Sequence, residues 1–174
     1  VDQKSAVNPL QALISEQLPT DHEVLLRDVI DAIDYAAEDP AINSLVMELG
    51  SLMYVGISKT QEIIPALQRF RESGKPIIAV GDYFTQDQYL LASHADTVIS
   101  HPMGGVVLEG FSSYRNYFRD ALEKISVNVH VFRAGDHKSA VEPFIRDDMS
   151  PGEKIQTSLW LENLWGQYTS SVEE

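Results

Sequence analysis

The stretch Ser73-Gly74-Lys75-Pro76-Ile77-Ile78-Ala79-Val80-Gly81 decides the fold. A helix-stopping glycine and a proline precede a short run that is apolar at every position. That is the pattern of a strand covered on both faces, as in a mostly parallel sheet. Upstream, Ser58-Lys59-Thr60-Gln61 has the spacing of a capping box, and Ile63, Ile64, Leu67 and Phe70 supply a buried helical stripe that runs to Gly74. Further upstream, Ile42 to Leu49 is a second short apolar run bounded by a glycine. Downstream, Gln86 to Ser93 reads as a short helix and Asp96 to Ser100 as another strand. Strand, helix and strand alternate, so the fold class is α/β, with a mostly parallel sheet and repeated βαβ units.

The flanks extend the pattern. Residues 1–19 are polar and end at Pro19, which predicts an arm; residues 20–174 form the α/β domain. Thr20-Asp21-His22-Glu23 fits a capping box for a helix that carries Val24, Leu25, Val29, Ile30, Ile33 and Ala36 and stops at Asp39-Pro40. Beyond Pro102-Met103-Gly104-Gly105 the pattern predicts a short strand at Val106 to Leu108, a helix around Tyr114 to Lys124, and a strand at Val127 to Phe132 with alternating valines. Glu153 to Val172 reads as a closing helix. Its Leu159, Leu161, Leu164, Trp165 and Tyr168 suit a core face or a subunit contact.

With 174 residues, 44% of them apolar, the chain can bury a substantial core. Thirteen basic against 26 acidic residues give a formal net charge of -13, which repels phosphate backbones and gives no support to nucleic-acid binding. The absence of cysteine excludes thiol catalysis, disulfides and cysteine-metal sites, and leaves the redox compartment open. No apolar run is long enough to cross a bilayer. The start, Val1-Asp2-Gln3-Lys4, has neither a methionine nor the apolar centre of a signal peptide, as expected of an excised piece.

Ala134-Gly135-Asp136 closes the predicted strand at Val127 to Phe132, so Lys138 falls in a strand-to-helix loop. In α/β folds such loops carry chemistry, which makes Lys138 a candidate base; a solvated loop lysine is the simpler alternative. Other chemistries are set aside. The chain has no phosphate loop ending in Lys-Ser or Lys-Thr, no dinucleotide fingerprint and no His-Glu-x-x-His pair, so no cofactor is expected. His22, His94, His101, His130 and His137 lie in different elements with no partner at metal-ligand spacing, so no metal site is expected either. Asp147-Asp148 suits helix capping or pairing with Arg146. Ser93, Ser139 and Ser150 suit capping or hydrogen bonding, with Ser139 also placed to orient the lysine.

The segment Lys138-Ser139-Ala140-Val141-Glu142-Pro143-Phe144-Ile145-Arg146-Asp147-Asp148-Met149-Ser150-Pro151 resembles the lysine-bearing segment of the bacterial signal peptide peptidase A (protease IV) family. Ser73-Gly74-Lys75-Pro76 and Gln88-Tyr89-Leu90-Leu91-Ala92-Ser93 add to the likeness, which runs from about Pro19 to the C-terminus and is strongest to the long, two-half members. This resemblance implies a Clp-protease/crotonase-like fold and a serine endopeptidase that degrades remnant signal peptides with a Ser/Lys dyad. It further implies a homo-oligomer on the periplasmic side of the bacterial inner membrane, attached through a segment absent from this chain.

In the long form the lysine comes from the amino-terminal half and the serine from the carboxy-terminal half, so the resemblance makes Lys138 the general base. Family domains that bear the nucleophile read Ser-Gly-Gly-Tyr where this chain has Gln86-Asp87-Gln88-Tyr89, and their Gly-rich oxyanion loop is replaced by Gly50-Ser51-Leu52-Met53. The expectation is therefore a lysine-supplying half, inactive alone. The alternative is a non-catalytic scaffold or binding domain of the same fold.

Overall fold

A computed structural model describes residues 24–131 and 139–173. The described residues fall into two compact units. One runs to Leu108 and includes the last turn of the closing helix from Ser171; the other is Glu109–Ser170.

The first unit is the βαβαβ frame. Helix α1 (Leu26–Glu38) precedes strand β1 (Leu45–Glu48), which is followed by helix α2 (Ile57–Glu72), strand β2 (Ile77–Gly81), helix α3 (Gln86–Ala92) and strand β3 (Thr97–Ser100). The strands are parallel in the order β1-β2-β3, with Leu45 opposite Ile77, Met47 opposite Ala79, and Ala79 opposite Val98. This register puts Leu45, Met47, Ile77 and Ala79 on one face. Together with Ile33 of α1, Ile63, Ala66, Leu67 and Phe70 of α2, Phe84, and Leu91 and Ala92 of α3, they build the core. Phe70 and Ile77 are wholly buried, and burying side chains of that size contributes about 1.5–3 kcal/mol each.

The second face is not covered as the continuous apolar runs predict. Val46 is 57% exposed and Ile99 52% exposed. Within this unit, the helices all pack on the face that holds Ile77 and Ala79.

Two helix starts also differ from the sequence reading. α1 begins at Leu26 with Leu25 as N-cap and no side-chain cap, so Val24 lies outside it; Thr20 to Glu23 lie outside the described residues. The predicted box at Ser58 does not form. The N-cap of α2 lies two residues earlier, at Gly56, whose φ of 75° is a left-handed conformation that suits a residue without Cβ. Thr60, buried within the first turn, donates its hydroxyl to the Gly56 carbonyl at 3.0 Å.

Lysine and aspartate side chains tie the frame together. The Lys75 ammonium donates to the carbonyls of Ala36 (2.7 Å), Ala37 (2.9 Å) and Asp39 (2.7 Å), closing the C-terminus of α1 where carbonyls are left over and the helix dipole is negative. Asp96 accepts from the Ile77 amide at 2.7 Å and pairs with Arg71 at 2.9 Å, so α2, β2 and the turn before β3 share one carboxylate. The predicted strand at Val106 to Leu108 shrinks to a single parallel bridge between Phe84 and Val106.

The second unit is helical. The helix predicted around Tyr114 to Lys124 is shortened to α4 (Arg119–Lys124). A 3-10 turn, Ser139–Val141, runs into α5 (Glu142–Ile145), and α6 (Pro151–Glu173) closes the chain. Phe111, Trp165 and Tyr168 form an aromatic cluster, with Trp165 and Tyr168 stacked at 5.3 Å. Leu159 on the same helix is 61% exposed, so the apolar residues of α6 do not form one buried face.

The strand predicted at Val127 to Phe132 is absent over 127–131, and Phe132 lies outside the described residues. Ser126, at φ 61°, turns the chain, and the Val127 amide bonds back to the Leu122 carbonyl at 2.9 Å. Alternating valines supply strand propensity, but a strand needs a paired neighbour, and none lies beside this segment among the described residues.

Candidate active site

Lys138 lies outside the described residues, but the segment it opens is described from Ser139 onward. That segment is fastened at several points. Phe118 donates its amide to the Pro143 carbonyl at 2.6 Å, and its ring stacks on Phe144 with centroids 6.4 Å apart. Asp147 accepts from the Asp120 amide at 3.0 Å and pairs with Arg119, which places a carboxylate on the first turn of α4. Arg115 reaches the Ser139 carbonyl at 3.5 Å and Glu153 at 3.4 Å. Arg146 pairs with Asp148 at 2.8 Å. Asp147 and Asp148 thus cap and pair, as the sequence suggested.

At the centre is a buried carboxylate that the sequence reading did not single out. Glu142 accepts from the Ser150 hydroxyl at 2.6 Å and from the Ser150 amide at 3.1 Å. The Ser150 oxygen in turn accepts from the Glu153 amide at 3.2 Å, making Ser150 the N-cap of α6. A capping box would have Glu153 reach back to the Ser150 amide. Here Glu142 takes that amide, and Glu153 turns to Arg115.

The Ser150 hydroxyl holds the Glu142 carboxyl below its usual range against the opposing effect of burial, with the Ser150 amide, Arg146 and Arg115 assisting. Burial, and next the Glu142 charge, push the neighbouring Tyr117 phenol above its ordinary range.

In the first unit, Gln86, which the sequence resemblance sets against the family's nucleophilic serine, is the first residue of α3. The helix is capped by Thr85, whose hydroxyl accepts from the Gln88 amide, while the Gln88 side chain accepts from the Thr85 amide at 2.9 Å. The Thr85-x-x-Gln88 spacing carries this signal, and the sequence reading passed over it. The other end of the Gln88 amide donates to the Leu52 carbonyl at 2.9 Å. Asp87 accepts from the amides of Gly56 at 3.0 Å and Val55 at 3.3 Å. Backbone donors in the loop after β1 are therefore held by the protein's own carboxylate.

Two other candidates make local hydrogen bonds. Ser93 donates to the Leu90 carbonyl at 2.9 Å, and the His101 ring accepts from the Met103 amide at 3.0 Å. His22 and His137 lie outside the described residues. Among the described residues no three His, Asp or Glu side chains gather as a metal site, and no helix is long and apolar enough to cross a membrane.

Residues 69–174 match the model of peptidase family S49, a span that contains both the Gln86 position and the whole Lys138 segment. The chain belongs to peptidase family S49. The small parallel sheet and its helices agree with that family's fold. This S49 chain is similar to Protease 4 of Salmonella typhi, 43% identical over 147 residues, which are 84% of this chain and 24% of that protein. It is also similar to Protease 4 of Haemophilus influenzae, 39% identical over 165 residues, 95% of this chain and 26% of that protein. A more distant likeness, 24% identical over 167 residues, is to the chloroplastic serine protease SPPA of Arabidopsis thaliana; it covers 95% of this chain and 24% of that protein. The chain spans about a quarter of the length of the curated relatives it matches.

Proposed function

We propose that this chain is the lysine-supplying half of a Ser/Lys serine endopeptidase, of Clp-protease/crotonase-like fold, that degrades remnant signal peptides. A carboxy-terminal half supplies the serine. Lys138, as a neutral amine, takes the serine proton as the hydroxyl attacks the peptide carbonyl, then returns it to the leaving amine. Lowering a lysine from about 10.4 to about 7 takes roughly 4–5 kcal/mol in favour of the neutral form, which burial under the partner half supplies. The assembled enzyme is a homo-oligomer held at the periplasmic face of the bacterial inner membrane by a segment outside this chain.

What supports this reading is the start of α3, where the family resemblance sets a hydroxyl and this chain has Gln86. An amide cannot serve as the nucleophile, so the chemistry of this half rests on its lysine segment. The Asp87 carboxylate on the Val55 and Gly56 amides favours a second reading, a non-catalytic scaffold or binding domain of the same fold.

Hydrolysis of an internally quenched apolar peptide separates the two readings, assayed in the protein that joins this chain to its serine-bearing half. Lys138→Ala should abolish cleavage, whereas undiminished cleavage would leave the scaffold reading.

A further inference from the structure

Glu142 is a charged side chain buried among neighbours, and its two oxygens are spent on a single residue eight positions away. A buried carboxylate is costly unless it is hydrogen-bonded, and an apolar residue could close the same turn without that cost. The contact therefore needs a reason beyond packing. Glu142 follows directly on the Ser139–Val141 turn, whose first residue is covalently joined to Lys138. Ser150, at the other end of the contact, is the N-cap of the 23-residue helix α6, the longest described element.

Resting on the general-base reading of Lys138, we propose that Glu142 is a positioning residue that locks the backbone leading out of Lys138 onto the start of α6. Arg115 provides a second tie to the same two ends, through the Ser139 carbonyl and Glu153. A base that must meet a hydroxyl on another polypeptide half gains from a fixed backbone, because a displacement of about 1 Å can cost on the order of a hundredfold in rate. A long helix is a rigid anchor for that purpose.

The test uses the complete two-half enzyme and the quenched apolar peptide. Glu142→Ala should lower kcat by tenfold or more with little change in KM. Glu142→Gln, which keeps the shape and one acceptor, should recover part of the loss. Lys138 labelling by an amine-reactive ester, read by mass spectrometry, should change in rate in the Glu142 variants. Ile63→Val, a mildly destabilising change in the core of the first unit, should leave kcat and labelling unaltered.

If Glu142→Ala does not fold, Glu142→Gln and Ser150→Ala carry the same test from the two sides of the contact, and each must lower kcat selectively. Wild-type kcat and lysine labelling in folded Glu142 variants, with Lys138→Ala inactive, would overturn the positioning role alone. An active Lys138→Ala enzyme would overturn both this role and the general-base reading.

Discussion

Ser150→Ala removes one oxygen that performs two tasks. The hydroxyl donates to buried Glu142 at 2.6 Å and accepts from the Glu153 amide at 3.2 Å. A hydrogen bond to a charged group contributes about 1.5–3 kcal/mol, and losing an N-cap costs about 1 kcal/mol. Both contacts share one atom, so the two values do not simply add, and the expected loss at neutral pH is about 2–3 kcal/mol. For a chain of this length that lowers the unfolding midpoint by roughly 5–10 °C.

The loss should depend on pH. The Glu142 carboxyl is held below its unfolded range, first by the Ser150 hydroxyl. Its contribution is therefore full above the ordinary carboxyl pKa of about 4.3 and disappears as pH falls through the lower folded value. Urea denaturation of wild type and variant at pH 7 and at pH 3 tests this. The gap should be wide at pH 7 and shrink towards the capping contribution alone at pH 3. An equal gap at both pH values, or one under about 1 kcal/mol at pH 7, would refute the assignment of the stabilising contact to ionised Glu142.

Two further outcomes follow from the first unit. Lys75→Met keeps the aliphatic stem but strips three carbonyls of their donor, and should cost about 1–2 kcal/mol in urea denaturation, with amide exchange fastest at the end of α1. Phe70→Ala empties a wholly buried position between α2 and β2, and should cost about 3–5 kcal/mol by the same measurement.

The frame was legible wherever the chain punctuates itself. Gly74 and Pro76 bracket the start of β2, Asp39 closes α1, and the stripe Ile63, Ile64, Leu67, Phe70 lies on the buried face of α2 as its spacing requires. Misreadings arose where a local signal depends on distant partners. Alternating valines from Val127 predicted a strand that has no described neighbour, and the spacing at Ser58 suggested a cap where Gly56 starts the helix instead.

The candidate site divides in the same way. The lysine segment was found through its resemblance to a family. The Glu142 to Ser150 contact spans eight residues and the Asp87 to Gly56 contact 31, separations at which no periodicity betrays a partner. Ser73-Gly74-Lys75-Pro76, quoted for its likeness to relatives, gains a physical role from the Lys75 cap on α1.

The carboxylate of Asp87 also bears on any attempt to engineer a nucleophilic centre into this chain. Installing a hydroxyl at Gln86 would supply an attacking atom, yet the amides of Val55 and Gly56 would still be engaged by an internal anion and closed to the developing charge of a tetrahedral intermediate. Redesign would have to evict that anion as well, so on the proposed reading this chain stands at least two coordinated substitutions from a nucleophilic centre of its own.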